Sequence, residues 1–171
     1  VGASIYQHNY VIDSNVGGYF GPYLKFCGFD ALEIQGKTAN DVIIFIDGID
    51  QKIHIFETSG LPNDAYALSA MLTEHFAAGK PRSISVVSAG PGAKNTLIGC
   101  LNFTWYDVKR KRARYKQAGR GGIGTVFADK GIKALVVRWD TVTADSNNPA
   151  DKSTLKNVAK LHSREIVELD P

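Results

Sequence analysis

Residues 117–139 read QAGRGGIGTVFADKGIKALVVRW, and residues 17–34 read GGYFGPYLKFCGFDALEI. Each holds a Gly-Gly pair, a stretch suited to a short helix, a glycine stop and an apolar run. After Gly21 and after Gly124 the pattern is six residues, glycine, apolar, any residue, Ala-Leu, any residue, apolar, so Gly28–Ile34 aligns with Gly131–Val137. Two copies about a hundred residues apart point to an internal duplication and are too few for a solenoid.

Around these copies the chain reads mainly as strands. A strand is expected over 3–12, a helix over about 19–27 with Gly28 as its stop, and a strand over 30–36. DVIIFIDGIDQKIHIFE, residues 41–57, predicts a hairpin about Asp47-Gly48. Asn63 or Asp64 caps a helix carrying Ala65, Leu68, Leu72 and Phe76, ended by Gly79 and Pro81. Strands follow over 83–90 and 96–106, then the basic segment, the second glycine-rich helix and a strand over 132–139. Residues 140–153 read as a polar linker, and Leu155, Val158, Ala159 and Leu161 sketch the start of a further helix. The expected class is α+β: a β-rich domain of two pseudo-symmetric repeats with a few short helices over 1–140, then linker and helix over 141–171.

The 171 residues suffice for one real core, and no apolar run approaches the ~20 residues of a membrane span. The chain opens on Val1 directly into a strand-like pattern, so a processed or excised piece of something longer is expected. Cys27 and Cys100 share no CxxC spacing; both are expected as buried thiols in a reducing, cytoplasmic setting, with no local zinc or iron–sulfur site. The net charge of +3 is concentrated: seven basic residues lie between Lys109 and Arg120, and the remainder is mildly acidic. That run reads as a solvated face, or as a contact for a phosphate-bearing ligand, an acidic protein or nucleic acid.

Gly119-Arg120-Gly121-Gly122 suits an anion, because glycine lets backbone N–H groups approach a phosphate and arginine adds a bidentate donor. The alternative is a close-packed turn between strand and helix. Neither a dinucleotide fingerprint nor a P-loop is present. In the first copy Asn15 could offer its amide oxygen to a hard cation such as Mg²⁺, or close an Asx turn. The four histidines and the glutamates form no catalytic arrangement in sequence. The chain offers binding surface rather than acid–base chemistry.

DSNVGGYFGPYLKFCGFDALEIQGK (13–37), GPGAKN (90–95) and AGRGGIGTVFADKGIKALVVRW (118–139), in this order, resemble the amino-terminal domain of the tungsten-containing aldehyde ferredoxin oxidoreductase family. The resemblance implies a base on which a tungsten, or less commonly molybdenum, bis-pyranopterin lies between two pseudo-symmetric halves. A Mg²⁺ bridging the two pterin phosphates would then be met by Asn15 and the Ala118 carbonyl. Gly17 and Gly18 would approach one pterin, and Gly119, Arg120, Gly121 and Gly122 the other. The implied activity is oxidation of an aldehyde to a carboxylic acid, with electrons passing to ferredoxin through a 4Fe-4S cluster that this chain does not ligate. The cluster would belong to the remainder of the catalytic chain or to a separate subunit, and the 171 residues alone would be inactive.

The sequence departs from the family pattern in four places. A pterin-side arginine would lie upstream of Val1, Lys94 replaces a glutamate, Ala128-Asp129-Lys130 replaces Gly-Ser-Lys, and the 109–120 segment is more basic. The substrate therefore stays open between an aldehyde and, within the same family, an aromatic acyl-CoA. Two non-catalytic readings stand beside these: a nucleic-acid or phosphate-binding module using residues 109–120, which only Tyr115 among stacking aromatics supports, and a subunit keeping the fold without the cofactor. A homo-oligomer stays open.

Overall fold

The structure, a computed structural model, describes residues 2–3, 11–140 and 149–170, the first two as backbone only. It divides into two compact units, Val1–Thr141 and Val142–Pro171.

In the first unit, β1 (Gly2–Ala3) and β2 (Val11–Ile12) pair antiparallel, Gly2 opposite Ile12. The expected strand over 3–12 thus has its ends in two different strands, and residues 4–10 lie outside the described residues. Helix α1 (Phe20–Phe26) comes next, then the hairpin β3 (Val42–Asp47) and β4 (Lys52–Glu57), helix α2 (Ala65–Phe76), and β5 (Ile84–Ser88). A second hairpin, β6 (Leu101–Asp107) and β7 (Arg112–Ala118), leads to α3 (Ile123–Asp129) and β8 (Ile132–Arg138).

The six longer strands form one mixed sheet in the order β4-β3-β8-β5-β6-β7. Its connectivity is β-hairpin, helix, strand, written twice: β3-β4-α2-β5, then β6-β7-α3-β8. The hairpins take the outside and the two single strands exchange places at the centre, which gives the two pseudo-symmetric repeats. Direction breaks the symmetry, since β3 lies parallel to β8 whereas β6 lies antiparallel to β5.

This repeat is not framed as the glycine match suggested. Gly28 and Gly131 do play the same part, ending α1 and α3 in left-handed conformations (φ 93° and 75°) that cost a residue without Cβ little. Beyond those stops the copies diverge. Residues 132–138 enter the sheet as β8, whereas residues 31–35, expected as a strand, join no ladder among the described residues. They still alternate: Leu32 and Ile34 pack on the core while 31, 33 and 35 are exposed. The strand-like pattern here reflects one-sided burial rather than pairing.

Both faces of the sheet are covered. Ile43, Phe45, Val86, Ala134 and Val136 meet Leu68 and Leu72 of α2 on one side. Ile44, Ile46, Val87, Leu135 and Val137 meet Tyr23 and Leu24 of α1 and Phe127 of α3 on the other. That is why β3 reads VIIFID without alternation: a strand buried on both faces has no polar side to show. Asp64 caps α2, accepting from the amides of Tyr66 at 3.0 Å and Ala67 at 2.8 Å.

The hairpin at 41–57 is present, but its loop is four residues, 48–51, organised by Asp47, whose carboxylate accepts from the Ile49 amide at 3.0 Å. At the far end of β3, Asp47 also receives a two-pronged ion pair from Arg138 of β8. Burial opposes ionisation of Asp47. The hydrogen bonds from Arg138 and from the loop amides outweigh it and hold the carboxyl below its ordinary range. Cys27 and Cys100 are half-buried rather than buried, and both are free.

The second unit contains α4 (Lys152–Leu169), capped by Asp151, which accepts from the amides of Ser153 at 3.0 Å and Thr154 at 2.9 Å. Its apolar residues Leu155, Val158, Leu161, Ile166 and Leu169 are exposed. No helix among the described residues is long and apolar enough to cross a membrane.

Candidate functional site

Two glycine-rich turns, each leading into a seven-residue helix on the same face of the sheet, are brought side by side. Residues 13–19 enter α1 and residues 119–122 enter α3. The Arg120 amide donates to the Ser14 hydroxyl at 3.2 Å, and the Arg120 guanidinium stands 3.9 Å from an Asp13 carboxylate oxygen. Residues far apart in sequence thus form one surface. Lys116 of β7 runs alongside Gly17: a side chain at that glycine would meet only the outer lysine atoms, at 3.5 Å. Arg114, two residues back on the same face of β7, lies 6.0 Å from the Trp105 ring, against which Tyr19 packs edge-on.

The glycines of this surface fall into two groups. A methyl group at Gly121 would stand 2.4 Å from Ile12, and one at Gly122 would stand 2.0 Å from the Leu97 carbonyl oxygen, both at positive φ (74° and 65°). Packing and backbone conformation therefore explain these two, as the close-packed-turn alternative requires. Gly17 and Gly119 are different. Both are exposed with ordinary φ, and Gly119 has nothing nearer than 3.9 Å to its missing Cβ. Nothing in the described structure requires glycine there. What glycine provides at both positions is open room above the backbone, on a surface flanked by Lys116 and Arg120.

The expected site residues lie as follows. Asn15 is exposed, and its side chain makes no hydrogen bond to another described residue. Gly17 and Gly18 are exposed, Gly18 with φ 115°. Ala118 is buried at the end of β7, opposite Leu101. Gly119 and Arg120 are exposed, Gly121 half-buried and Gly122 buried. Ser14 carried no role in the sequence reading, and Lys116 only its place in the basic run of 109–120. Residues 112–118 read there as part of a basic run, yet they form the edge strand β7. The i, i+2 recurrence of Arg112, Arg114 and Lys116 was the available clue.

Lys94 lies away from the two turns. Its ammonium reaches both Asp41 oxygens, at 3.0 and 3.2 Å, and ties the 3₁₀ turn Pro91–Asn95 to the residue before β3. A cavity of about 450 Å³ between α1, α3 and the sheet is lined by apolar residues including Phe20, Leu24, Phe103 and Phe127. Among the described residues no three His, Cys, Asp or Glu side chains converge on one point. The paired turns supply open backbone, two cationic side chains and an amide oxygen. That inventory suits an anionic ligand.

Residues 3–139 match the family model described as aldehyde ferredoxin oxidoreductase, N-terminal domain. The tungsten-containing aldehyde ferredoxin oxidoreductase of Pyrococcus horikoshii is 34% identical over 130 residues, covering 75% of this chain and 19% of that protein. The enzyme of the same name from Pyrococcus furiosus is 32% identical over 131 residues, with the same coverage of 75% and 19%. Among solved structures, the active-site complex of benzoyl coenzyme A reductase with 1,5-dienoyl-CoA superposes with a TM-score of 0.59 at 28% identity, over 73% of this chain and 17% of that one. The chain spans about a fifth of the length of the curated relatives it matches.

Proposed function

We propose, from the premise that this chain belongs to the aldehyde ferredoxin oxidoreductase family through the N-terminal domain of that family, that its paired glycine turns are the seat of a tungsten bis-pyranopterin. The observation that carries the reading is the open room above Gly17 and Gly119, on a surface where Arg120 binds Ser14 and Lys116 lies along Gly17. Bare backbone flanked by cations fits the phosphates of such a cofactor.

In this reading Gly17 and Gly18 receive one pterin and Gly119 to Gly122 the other. Arg120 and Lys116 would offset phosphate charge, while the Asn15 amide oxygen and the Ala118 carbonyl would help hold a Mg²⁺. When bound, the metal and its sulfur ligands supply the two-electron oxidation of an aldehyde to a carboxylic acid. The chain's own residues bind and orient. The iron–sulfur cluster and the route to ferredoxin lie outside these residues, in a cytoplasmic enzyme of which 1–140 is the cradle and 141–171 a linker with the start of a helical domain. The likeness to a benzoyl coenzyme A reductase complex keeps an aromatic acyl-CoA as the second candidate substrate.

The test is elemental analysis of the protein purified anaerobically with all its partners, as the native chain and as Asn15→Ala and Arg120→Ala. The reading expects tungsten or molybdenum with about two phosphorus atoms per metal, and loss of both in the two variants. Neither metal in the native material, or variants that retain the cofactor in full, would overturn it.

A further inference from the structure

The two glycine turns are joined by contacts of their own. Ile12 lies against Gly121, where a methyl group would stand 2.4 Å from its Cγ2 atom. Two residues on, the half-buried Ser14 hydroxyl accepts a hydrogen bond from the Arg120 amide at 3.2 Å. The Asp13 and Arg120 side chains approach to 3.9 Å, but both are exposed, and a pair of that kind adds little. Of these three contacts the Ser14 bond alone is directional: apolar packing tolerates sliding, whereas a hydrogen bond fixes both distance and angle.

The bond also decides how Arg120 can meet a ligand. Its amide points at Ser14, so an anion on this turn meets the arginine through the guanidinium. Any backbone N–H directed at that anion has to come from a different residue of the turn.

The place of this bond in the sequence gives it a consequence. Ser14 directly precedes Asn15, and Arg120 follows Ala118 by two residues. In the cofactor reading above, on which this inference rests, Asn15 and the Ala118 carbonyl would help hold one Mg²⁺. That ion demands near-ideal octahedral geometry at about 2.0–2.1 Å. Two ligands from segments far apart in sequence therefore have to be kept at a fixed span. We propose that Ser14 is the positioning residue that sets this span. Its hydroxyl ties the first turn to the second in the protein without cofactor, so that binding does not have to order them. Ser14 acts here through Arg120 and Asn15 and makes no contact of its own with the ion.

The experiment compares the native protein with Ser14→Ala and Ser14→Thr, each purified anaerobically with all its partners. In protein produced without tungstate or molybdate, hydrogen–deuterium exchange at the Arg120 amide reads the bond itself. Exchange there is expected to be about fivefold faster in Ser14→Ala, the factor that one hydrogen bond is worth. Ser14→Thr keeps the hydroxyl and is expected to exchange at the native rate. In protein carrying the cofactor, the second reading is the free Mg²⁺ concentration, set with EDTA, that halves the loss of tungsten or molybdenum. It is expected to rise about fivefold in Ser14→Ala and to stay at the native value in Ser14→Thr. A merely destabilised domain would lose the metal whatever the Mg²⁺ concentration, and that result would overturn the proposal. So would an Arg120 amide that exchanges no faster in Ser14→Ala, or a Ser14→Thr protein that behaves as Ser14→Ala does. Native protein that holds its metal, beside a Ser14→Ala protein with the same Mg²⁺ requirement, would overturn the role of Ser14 and leave the cofactor reading standing. Native protein without tungsten or molybdenum, or indifferent to Mg²⁺, would overturn that reading and the role of Ser14 with it.

Discussion

Replacing Gly122 and Gly119 separately by alanine distinguishes what packing demands of the second turn from what a ligand demands. At Gly122 (φ 65°) the new methyl would stand 2.0 Å from the Leu97 carbonyl oxygen, which is backbone and cannot swing aside. The left-handed conformation alone costs alanine about 1–2 kcal/mol, and forcing a methyl group into a filled space adds about 1–3 kcal/mol. A loss of about 3 kcal/mol lowers the urea midpoint by about 1.5 M for a slope near 2 kcal/mol per molar, typical of a domain this size. At Gly119 (φ −103°) the nearest atom to the new methyl is 3.9 Å away. There the midpoint should hold or rise slightly, because alanine reduces the freedom of the unfolded chain by about 0.4–1 kcal/mol. Function should reverse the ranking: Gly119→Ala, fully folded, should retain less tungsten and phosphorus when the protein is purified with its partners. Urea unfolding followed by circular dichroism reads the first quantity and elemental analysis the second. A Gly122→Ala protein as stable as the native one would refute the packing argument. A Gly119→Ala protein with a full cofactor complement would refute the ligand argument.

Three further expectations rest on the same geometry. Asp47→Asn removes one partner of the Arg138 pair while leaving a largely buried guanidinium, so a loss of about 3 kcal/mol is expected by denaturant unfolding. Because the folded-state pKa of Asp47 is depressed, its contribution is complete above the ordinary carboxylate value of about 3.9 and disappears as pH falls through the lower folded value. The native chain should therefore lose stability below about pH 4 more steeply than Asp47→Asn, and parallel acid titrations would contradict this. Burial, with the Asp47 charge adding to it, raises the Cys27 thiol to about 11. At pH 8 only about one molecule in a thousand carries the thiolate, so Cys27 should alkylate far more slowly than an unhindered thiol, as peptide mass mapping of iodoacetamide-treated protein would read.

How far the sequence carried can be judged from the two glycine copies. It placed a short helix in each and a glycine stop at Gly28, because that chemistry is local; Gly28 and Gly131 both adopt positive φ. It also carried α2 with its cap and the first hairpin, where turn and apolar run agree. The path of the chain beyond each stop is not local. Ala134-Leu135 enters the sheet because β3 and β5 flank it, whereas Ala31-Leu32, with the same two letters, packs over a sheet whose places are already taken. No window of sequence reports whether a slot between two strands is free. The same limit hid β7: its exposed edge is written in arginine and lysine, which suit an unpaired strand, but which read as a solvated run until Trp105 is seen opposite Arg114 and Phe103 opposite Lys116. Once that pairing exists, Lys116 reaches Gly17, and a segment read as a solvated run lies against the candidate site. The glycines show the converse. Five of them at 17, 18, 119, 121 and 122 look alike as letters, yet Leu97 and Ile12 account for Gly122 and Gly121, and a positive φ accounts for Gly18. Only Gly17 and Gly119 are left with no structural reason to be glycine. These two positions are therefore where the cofactor reading is most exposed to refutation.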